Sequence, residues 1–397
     1  MSETSHIPSS QLPRREGPLR ITVLIDTFKH TGGMMMLLYY AGALKGLGHH
    51  VELLTQSGHG PVRFLAPEAR VVPEFTSQTV PASDILLATG LHEVDAAHRS
   101  GRGRVVHFCQ GFQVADLEER WLTVERRMQE GSLTLWMPRL RVWRTLRMAL
   151  KKRSWQKRIA YAEHVYRLPT HMIACTPHLK KLMETRYGRK VHLCRYGIPP
   201  EFSPAPSLRM ESFDAQRPCR VVCVGGYERW FKGIETTNKV IALVKSRGLP
   251  VHYVRVSPTP FYESEKSLGM IDEFHENLKP AELAELFRGS DVYISNSLES
   301  EGFGLPAMEA MCCGLPTILS KISSYTQFSD ENVSNYAVFV PQRGVEETAR
   351  ALQELIESPA QHRRELRENA LRVAAEYEQK RSNERYSRIL QQIAAQP

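Results

Sequence analysis

The sequence of 397 residues predicts an α/β protein in two halves, each a parallel β-sheet covered by helices. Short β-branched runs alternate with helix-length segments along nearly the whole chain, and one proline-rich stretch, Pro199 to Pro218, interrupts that alternation. A composition of 42% apolar and 24% charged residues is that of a core-forming chain, which excludes disordered and fibrous classes.

The strand-like runs of the first half are ITVLID, HVELLT, SDILLAT, RVVHFCQG, HMIACT and KVHLCRYG, with a helix expected from Met34 to Leu47. Those of the second half are RVVCVGG, PVHYVRVS, DVYISNS, PTILSK and YAVFV. After Val345, apolar residues recur at Leu352, Leu355 and Ile356, then at Leu366, Leu371 and Val373, which predicts two or three closing helices. The expected organisation is a lead-in (1–18), an N-terminal half (19–205), a linker (206–217), a C-terminal half (218–374) and a final segment (375–397).

Several classes are excluded early. The longest apolar run, Met34 to Leu44, has eleven residues, and a bilayer span needs roughly 18 to 20. The first twenty residues are polar and lack the apolar core of a secretory signal, so they read as a disordered lead-in. Seven scattered cysteines without a C-x-x-C pair support neither a disulfide framework nor a zinc site, and a reducing cytoplasm fits them best.

In doubly wound sheets, ligands bind beyond the carboxyl ends of the strands, where helix N-termini offer free N–H groups. The most informative such loop follows DVYISNS and runs Ser295 to Pro316, SNSLESEGFGLPAMEAMCCGLP. Gly302 and Gly304 permit close approach of a ligand, and Pro306 suits the first position of a helix. The N–H groups around Gly304 to Ala307 then face an anion, with Glu301 just before the helix and Glu309 one turn inside it. Taken alone, this is equally an acidic loop leading into a structural helix whose Leu305, Met308 and Met311 belong to the core.

The string S-E-G-F-G-L-P-x-x-E-A-M-x-x-G-x-P resembles the E-x7-E signature of the large retaining glycosyltransferase family 4, whose fold is GT-B. DTFKHTGGMMMLLYYAGALKGLGHHVELLT is similar to that family's opening unit, ACTPHLKKLMETRYG with RYGIPPEFSP to the end of its N-terminal domain, and EFHENLKPAELAELFRGSDVYISNS to the stretch before the signature. The resemblance implies two Rossmann-like domains facing a central cleft, with a C-terminal helix crossing back to the N-terminal domain. It implies transfer of a sugar from a nucleoside diphosphate sugar to a glycan or lipid-linked acceptor, in bacterial cell-surface polysaccharide or glycoconjugate synthesis.

Carried over position by position, the resemblance gives Lys232, in YERWFKGIE, the donor phosphates, Glu309 the ribose hydroxyls and Glu301 the sugar and its anomeric centre. The backbone of Gly302, Phe303, Gly304 and Leu305 holds further donor groups, and Gly32 and Gly33 contact the donor from the first helix. His107, at a strand end, is expected near the sugar, and the catalytic set is Glu301, His107 and Lys232. Many family members carry Gly-Arg after the strand RVVCV; here the second position is Gly226, and Arg229 is the candidate replacement. VRVSPTP (Val254 to Pro260) stands where a glycine-rich turn is usual, and His275 near where the base often binds. No Asp-x-Asp occurs, so neither metal nor cofactor is expected beyond the sugar nucleotide as co-substrate.

The net charge of +9 is concentrated. Residues 131–160 hold nine Lys and Arg, no Asp or Glu, and Trp136, Trp143 and Trp155. A basic amphipathic helix there suits an anionic membrane surface, which would place a cytoplasmic protein at the inner face of a membrane. Equally open is a helix packed on the N-terminal half with solvated arginines. No nucleic-acid-binding module accompanies the patch. Two alternatives to the transferase remain: a non-catalytic binding protein of the same fold, and an NAD(P)-dependent oxidoreductase, although neither DTFKHTGG nor VGGYERW gives G-x-G-x-x-G.

Overall fold

The computed structural model describes residues 17–28, 31–57, 68–130, 138–204, 212–329, 333 and 335–396. Most of the predicted lead-in (1–18), part of the predicted linker (206–217) and the start of the basic segment, including Trp136, lie outside the described residues.

Seven strands form the first sheet: β1 (Arg20–Ile25), β2 (His50–Thr55), β3 (Ala69–Val71), β4 (Ile85–Ala88), β5 (Arg104–Cys109), β6 (His171–Ala174) and β7 (Val191–Leu193). Their order is β3-β2-β1-β4-β5-β6-β7, and every neighbouring pair is parallel. The covering helices are α1 (Gly32–Gly46), α2 (Leu91–Ser100), α3 (Gln113–Glu130), α4 (Pro138–Arg167) and α5 (Pro177–Tyr187). Parallel strands need such crossovers and are covered on both faces, so β4, ILLA, is buried at all its positions.

The second sheet has six strands: β8 (Cys219–Val224), β9 (Val251–Ser257), β10 (Glu273–Glu276), β11 (Val292–Ser295), β12 (Thr317–Ser320) and β13 (Val338–Val340). It is again all parallel, in the order β10-β9-β8-β11-β12-β13. Its helices are α6 (Ile234–Ser246), α7 (Glu263–Lys266), α8 (Pro280–Arg288), α9 (Leu305–Cys312), α10 (Ser323–Thr326), α11 (Val345–Glu357), α12 (Ala360–Ala374) and α13 (Gln379–Ala394). The strand order reverses between the adjacent β8 and β11, with Val292 opposite Val221. The loops leaving these two strands therefore open side by side, the usual crevice for a ligand in a doubly wound sheet.

The first helix begins at Gly32, two residues before the sequence expectation, because Thr31 is in an extended conformation and its side chain accepts from the Met34 N–H at 3.2 Å. Three helices follow Val345, and the last returns to the first half. Tyr386 of α13 stacks on Tyr40 of α1 with ring centroids 4.2 Å apart, Ser382 Oγ lies 2.7 Å from the Tyr40 hydroxyl, and Ser387 Oγ lies 2.7 Å from His49 Nε2. A stacked aromatic pair adds about 1 kcal/mol beyond the burial of its area.

Candidate active site

The loop after β8 and the loop after β11 meet at one ion pair. Lys232 Nζ lies 2.7 Å from Glu301 Oε2, with side-chain exposures of 19% and 8%. Ser297 Oγ donates to the same carboxylate oxygen at 3.2 Å. Lys232 ends a turn of 3-10 helix, Trp230–Lys232, and Gly233 follows it with φ +61. A Cβ at Gly233 would overlap the backbone oxygen of Asn296, so only glycine lets the lysine loop lie this close to the loop after β11.

Beyond Glu301 the chain turns through Gly302, Phe303 and Gly304 into α9. Gly304 has φ +86, and a Cβ there would run into the Tyr325 ring. The Tyr325 hydroxyl in turn bonds to Ser295 and Ser297 at 2.9 and 3.1 Å, which fixes the turn from below. Helix α9 starts at Leu305, which puts Pro306 in its second position, one later than expected. The Ala307 N–H donates to Gly304 O at 3.0 Å, so it is not a donor for an anion, a correction to the expected set. The candidates are the N–H groups of residues 302–305.

Glu309 lies inside α9, and burial pushes its carboxyl up to about 7, opposed by the Lys232 charge. Burial also raises Tyr39 on α1, with Glu201 and Glu309 adding to the effect, so a phenol and two carboxylates share one region.

The first half closes over this turn. A Cβ on Gly32 would come within 2.7 Å of Leu305 Cδ1, one on Gly33 would overlap the Gln110 side chain, and one on Gly302 would overlap the Gln110 backbone oxygen. Gln110 Nε2 donates to Gly33 O at 2.9 Å. Ser300 Oγ also donates across the cleft to Glu119 of α3 at 2.7 Å. The Phe303 ring is 4% exposed and packs edge-on against Tyr196, at 4.8 Å, and beside Tyr377, at 5.7 Å. Its side chain thus joins the halves, and only its backbone faces the turn.

The structure thus brings together Gly32, Gly33, Lys232, Glu301, Gly302, Gly304 and Leu305, with Glu309 within electrostatic reach of Lys232. It does not bring His107 there. That side chain is 1% exposed in β5 and stacks on Tyr166, with ring centroids 5.2 Å apart. Burial lowers its pKa to about 4, so it is neutral near pH 7. Gln110, three residues on, occupies the cleft instead and was not expected from the sequence. Arg229 sits at the rim, 44% exposed, with Glu228 3.7 Å away. His275 bonds to Glu273, whose carboxyl is held down to about 2, chiefly by Arg220. Among the described residues no cluster of three or more His, Cys, Asp or Glu assembles that could hold a metal ion.

Two parallel-sheet halves joined across a cleft and tied by a returning C-terminal helix define a GT-B fold. Residues 264–373 match the model of the family described as Glycosyl transferases group 1, a little over a quarter of the chain that includes α9 and the turn before it. Among curated proteins none matches this chain. Among solved structures, Anabaena HepE in complex with UDP and glucose is similar at 15% identity and a TM-score of 0.67, covering 94% of this chain and 99% of that one. A glycosyltransferase from Rickettsia africae is similar at 14% identity and a TM-score of 0.66, covering 96% and 100%. Sucrose-phosphate synthase from Thermosynechococcus elongatus gives 14% identity and a TM-score of 0.64 over 93% and 98%. At these identities the likeness is one of fold.

Proposed function

We propose that this chain is a retaining, metal-independent glycosyltransferase of family 4 that moves a sugar from a nucleoside diphosphate sugar to a glycan or lipid-linked acceptor in bacterial cell-surface synthesis. The observation that carries the proposal is the Lys232–Glu301 pair where the loops after β8 and β11 meet, beside a turn of N–H groups, with Glu301 and that turn inside the segment matched by the glycosyl transferases model. The departing diphosphate carries the largest developing charge, so a cation and oriented N–H groups fixed beforehand stabilise the transition state without reorganising. Lys232 and residues 302–305 are assigned to the diphosphate, Glu309 to the ribose and Glu301 to the sugar. Anabaena HepE, similar in fold, was solved with UDP and glucose, which supports a nucleotide donor here.

A cavity of about 410 Å3, lined by Asp26, Gln56, Thr76, His92 and Arg99 among others, opens beyond the ends of β1 and β2. Its mixed donors and acceptors suit the hydroxyls of an acceptor. Lys151, Lys152, Arg153, Lys157 and Arg158 stand exposed on α4, together with Leu150 at 61% exposure, and are assigned to an anionic membrane surface. No helix among the described residues is long and apolar enough to cross a membrane.

One observation favours a second function, binding without turnover: Gly226 offers no cationic side chain, and Glu228 lies over it. The deciding experiment is a thermal-shift panel of UDP-, GDP-, ADP- and dTDP-sugars with NAD(P) alongside, then hydrolysis of each stabilising donor in EDTA, with the anomeric configuration of the released sugar read by proton NMR. Release with retained configuration is expected. Binding without release supports the second function, stabilisation by NAD(P) alone an oxidoreductase, and inverted configuration or loss in EDTA overturns the mechanism.

A further inference from the structure

Strand β9 carries a charge where a buried parallel strand is expected to be apolar. Arg255 is fully buried, and so is its partner Glu265 on α7, with Nε 2.8 Å from Glu265 Oε1. Its Nη2 donates to Gly225 O at 2.8 Å and its Nη1 to Val256 O at 2.7 Å. Asn238 Nδ2 donates to Glu265 Oε1 at 3.4 Å and is itself held by the Tyr253 hydroxyl, 3.0 Å from its Oδ1. Replacing a buried ion pair by apolar residues is often neutral or stabilising, so such a network is weak as a source of stability and better suited to fixing a conformation.

The conformation it fixes is that of the peptide between Gly225 and Gly226, directly after β8. Gly225 N–H donates to Val256 O at 3.0 Å while Gly225 O accepts from Arg255, so the residue is held from both sides. A peptide unit is planar and trans, so its C=O and N–H point in opposite directions. With the Gly225 carbonyl drawn down onto the guanidinium, the Gly226 N–H is turned away from the core. A Cβ at Gly226 would lie 2.5 Å from Glu228 Oε1, so the space a side chain would use is already taken. Glu228 accepts from the Thr259 hydroxyl at 3.2 Å.

We propose, resting on the donor site assigned above, that Arg255 is a positioning residue for the diphosphate: it holds the Gly225–Gly226 peptide so that the Gly226 N–H, in place of a cationic side chain at position 226, donates to a phosphate oxygen. A backbone donor needs no side-chain ordering and makes a charge-assisted bond with an anion. The VRVSPTP segment, which lacks the glycine-rich turn, supplies the buried arginine that sets this peptide.

The test uses the full chain labelled with 15N-glycine. UDP, GDP, ADP and dTDP are titrated in turn by calorimetry, and the tightest binder is added to the labelled protein. The Gly226 amide, assigned by its loss in Gly226→Ala, is expected to shift downfield on binding. In the variant Arg255→Met with Glu265→Gln, which leaves no buried charge unpaired, that shift is lost and Kd rises about tenfold or more, the worth of one charge-assisted hydrogen bond, while Tm is kept. Glu265→Gln alone, which keeps the guanidinium on Gly225, retains the shift. A Gly226 resonance that stays in place while other glycines respond, or a paired variant that binds as tightly as wild type, overturns the inference and leaves the donor site standing. Failure of all four nucleotides to bind overturns the donor site itself.

Discussion

Lys232 Nζ and Glu301 Oε2 lie 2.7 Å apart at the mouth between the two loops of the second sheet. Without ligand, each charge is the other's partner. On the proposed assignment, a diphosphate drawing on Lys232 would free Glu301 to face the sugar. Lys232→Ala is expected to lower kcat about a hundredfold or more, with a smaller change in donor KM. Because Glu301 is then left largely buried and unpaired, stability falls by about 1–3 kcal/mol. Initial rates with a hydrolysed donor and a urea melt check both, and unaltered turnover contradicts the assignment.

Glu309 gives a pH signature. Burial raises its folded pKa to about 7 from an ordinary value of 4.5. The native state therefore holds this proton more tightly than the unfolded chain. The associated stability is complete below about pH 4.5 and is lost as pH rises through 7, a swing on the order of 3 kcal/mol. Glu309→Gln lacks the swing, so its stability relative to wild type should rise from pH 5 to pH 8 in urea melts. A Glu309→Gln stability that stays level or falls relative to wild type over that range contradicts the sign and excludes the buried proton. Glu309→Ala should weaken nucleotide binding, measured by calorimetry.

Residues whose signal is local in sequence are the ones that come together. The acidic signature, the Lys-Gly element and the Gly32–Gly33 pair each lie within a few residues of a strand end, and the structure gathers them at one cleft. The contacts that run between halves were not legible. Gln110 touches Gly33 and Gly302, residues far apart in the chain, and a glutamine at a strand exit carries no pattern of its own. His107 was misplaced because β5 is covered on both faces, so a residue three positions earlier is sealed although it sits near a strand end. Arg255 was hidden for the opposite reason, since a charge inside an apolar run gives no hint that its counterion lies ten residues on.

Gly233 tests how the lysine is placed. It combines φ +61 with a backbone oxygen of Asn296 where a Cβ would go, and backbone cannot yield as a flexible side chain can. Gly33 differs, since a Cβ there meets only the Gln110 side chain. Gly233→Ala is expected to cost about 1–3 kcal/mol and to depress kcat through displacement of Lys232. Gly33→Ala should cost less, because Gln110 can change rotamer. Equal effects of the two in melts and rates would sever the link between the Gly233–Asn296 contact and lysine position.

The basic face of α4 offers a measurement independent of catalysis. Trp155 is partly buried, with Trp121 6.5 Å away and the Arg158 guanidinium 4.6 Å from its ring, so part of the apolar side is used inside the protein. Leu150 and the cations from Lys151 to Arg158 remain outside it and exposed. Each lysine or arginine near an anionic surface contributes about 1 kcal/mol. Neutralising Lys151, Lys152, Arg153 and Lys157 should therefore lower partition onto vesicles of anionic lipid by roughly a thousandfold at low salt, with donor hydrolysis in solution unchanged. Flotation is expected to fail for this variant and to weaken for wild type as salt rises. Undiminished flotation by the neutralised protein would remove the membrane from the account and leave the arginines and lysines as a solvated face.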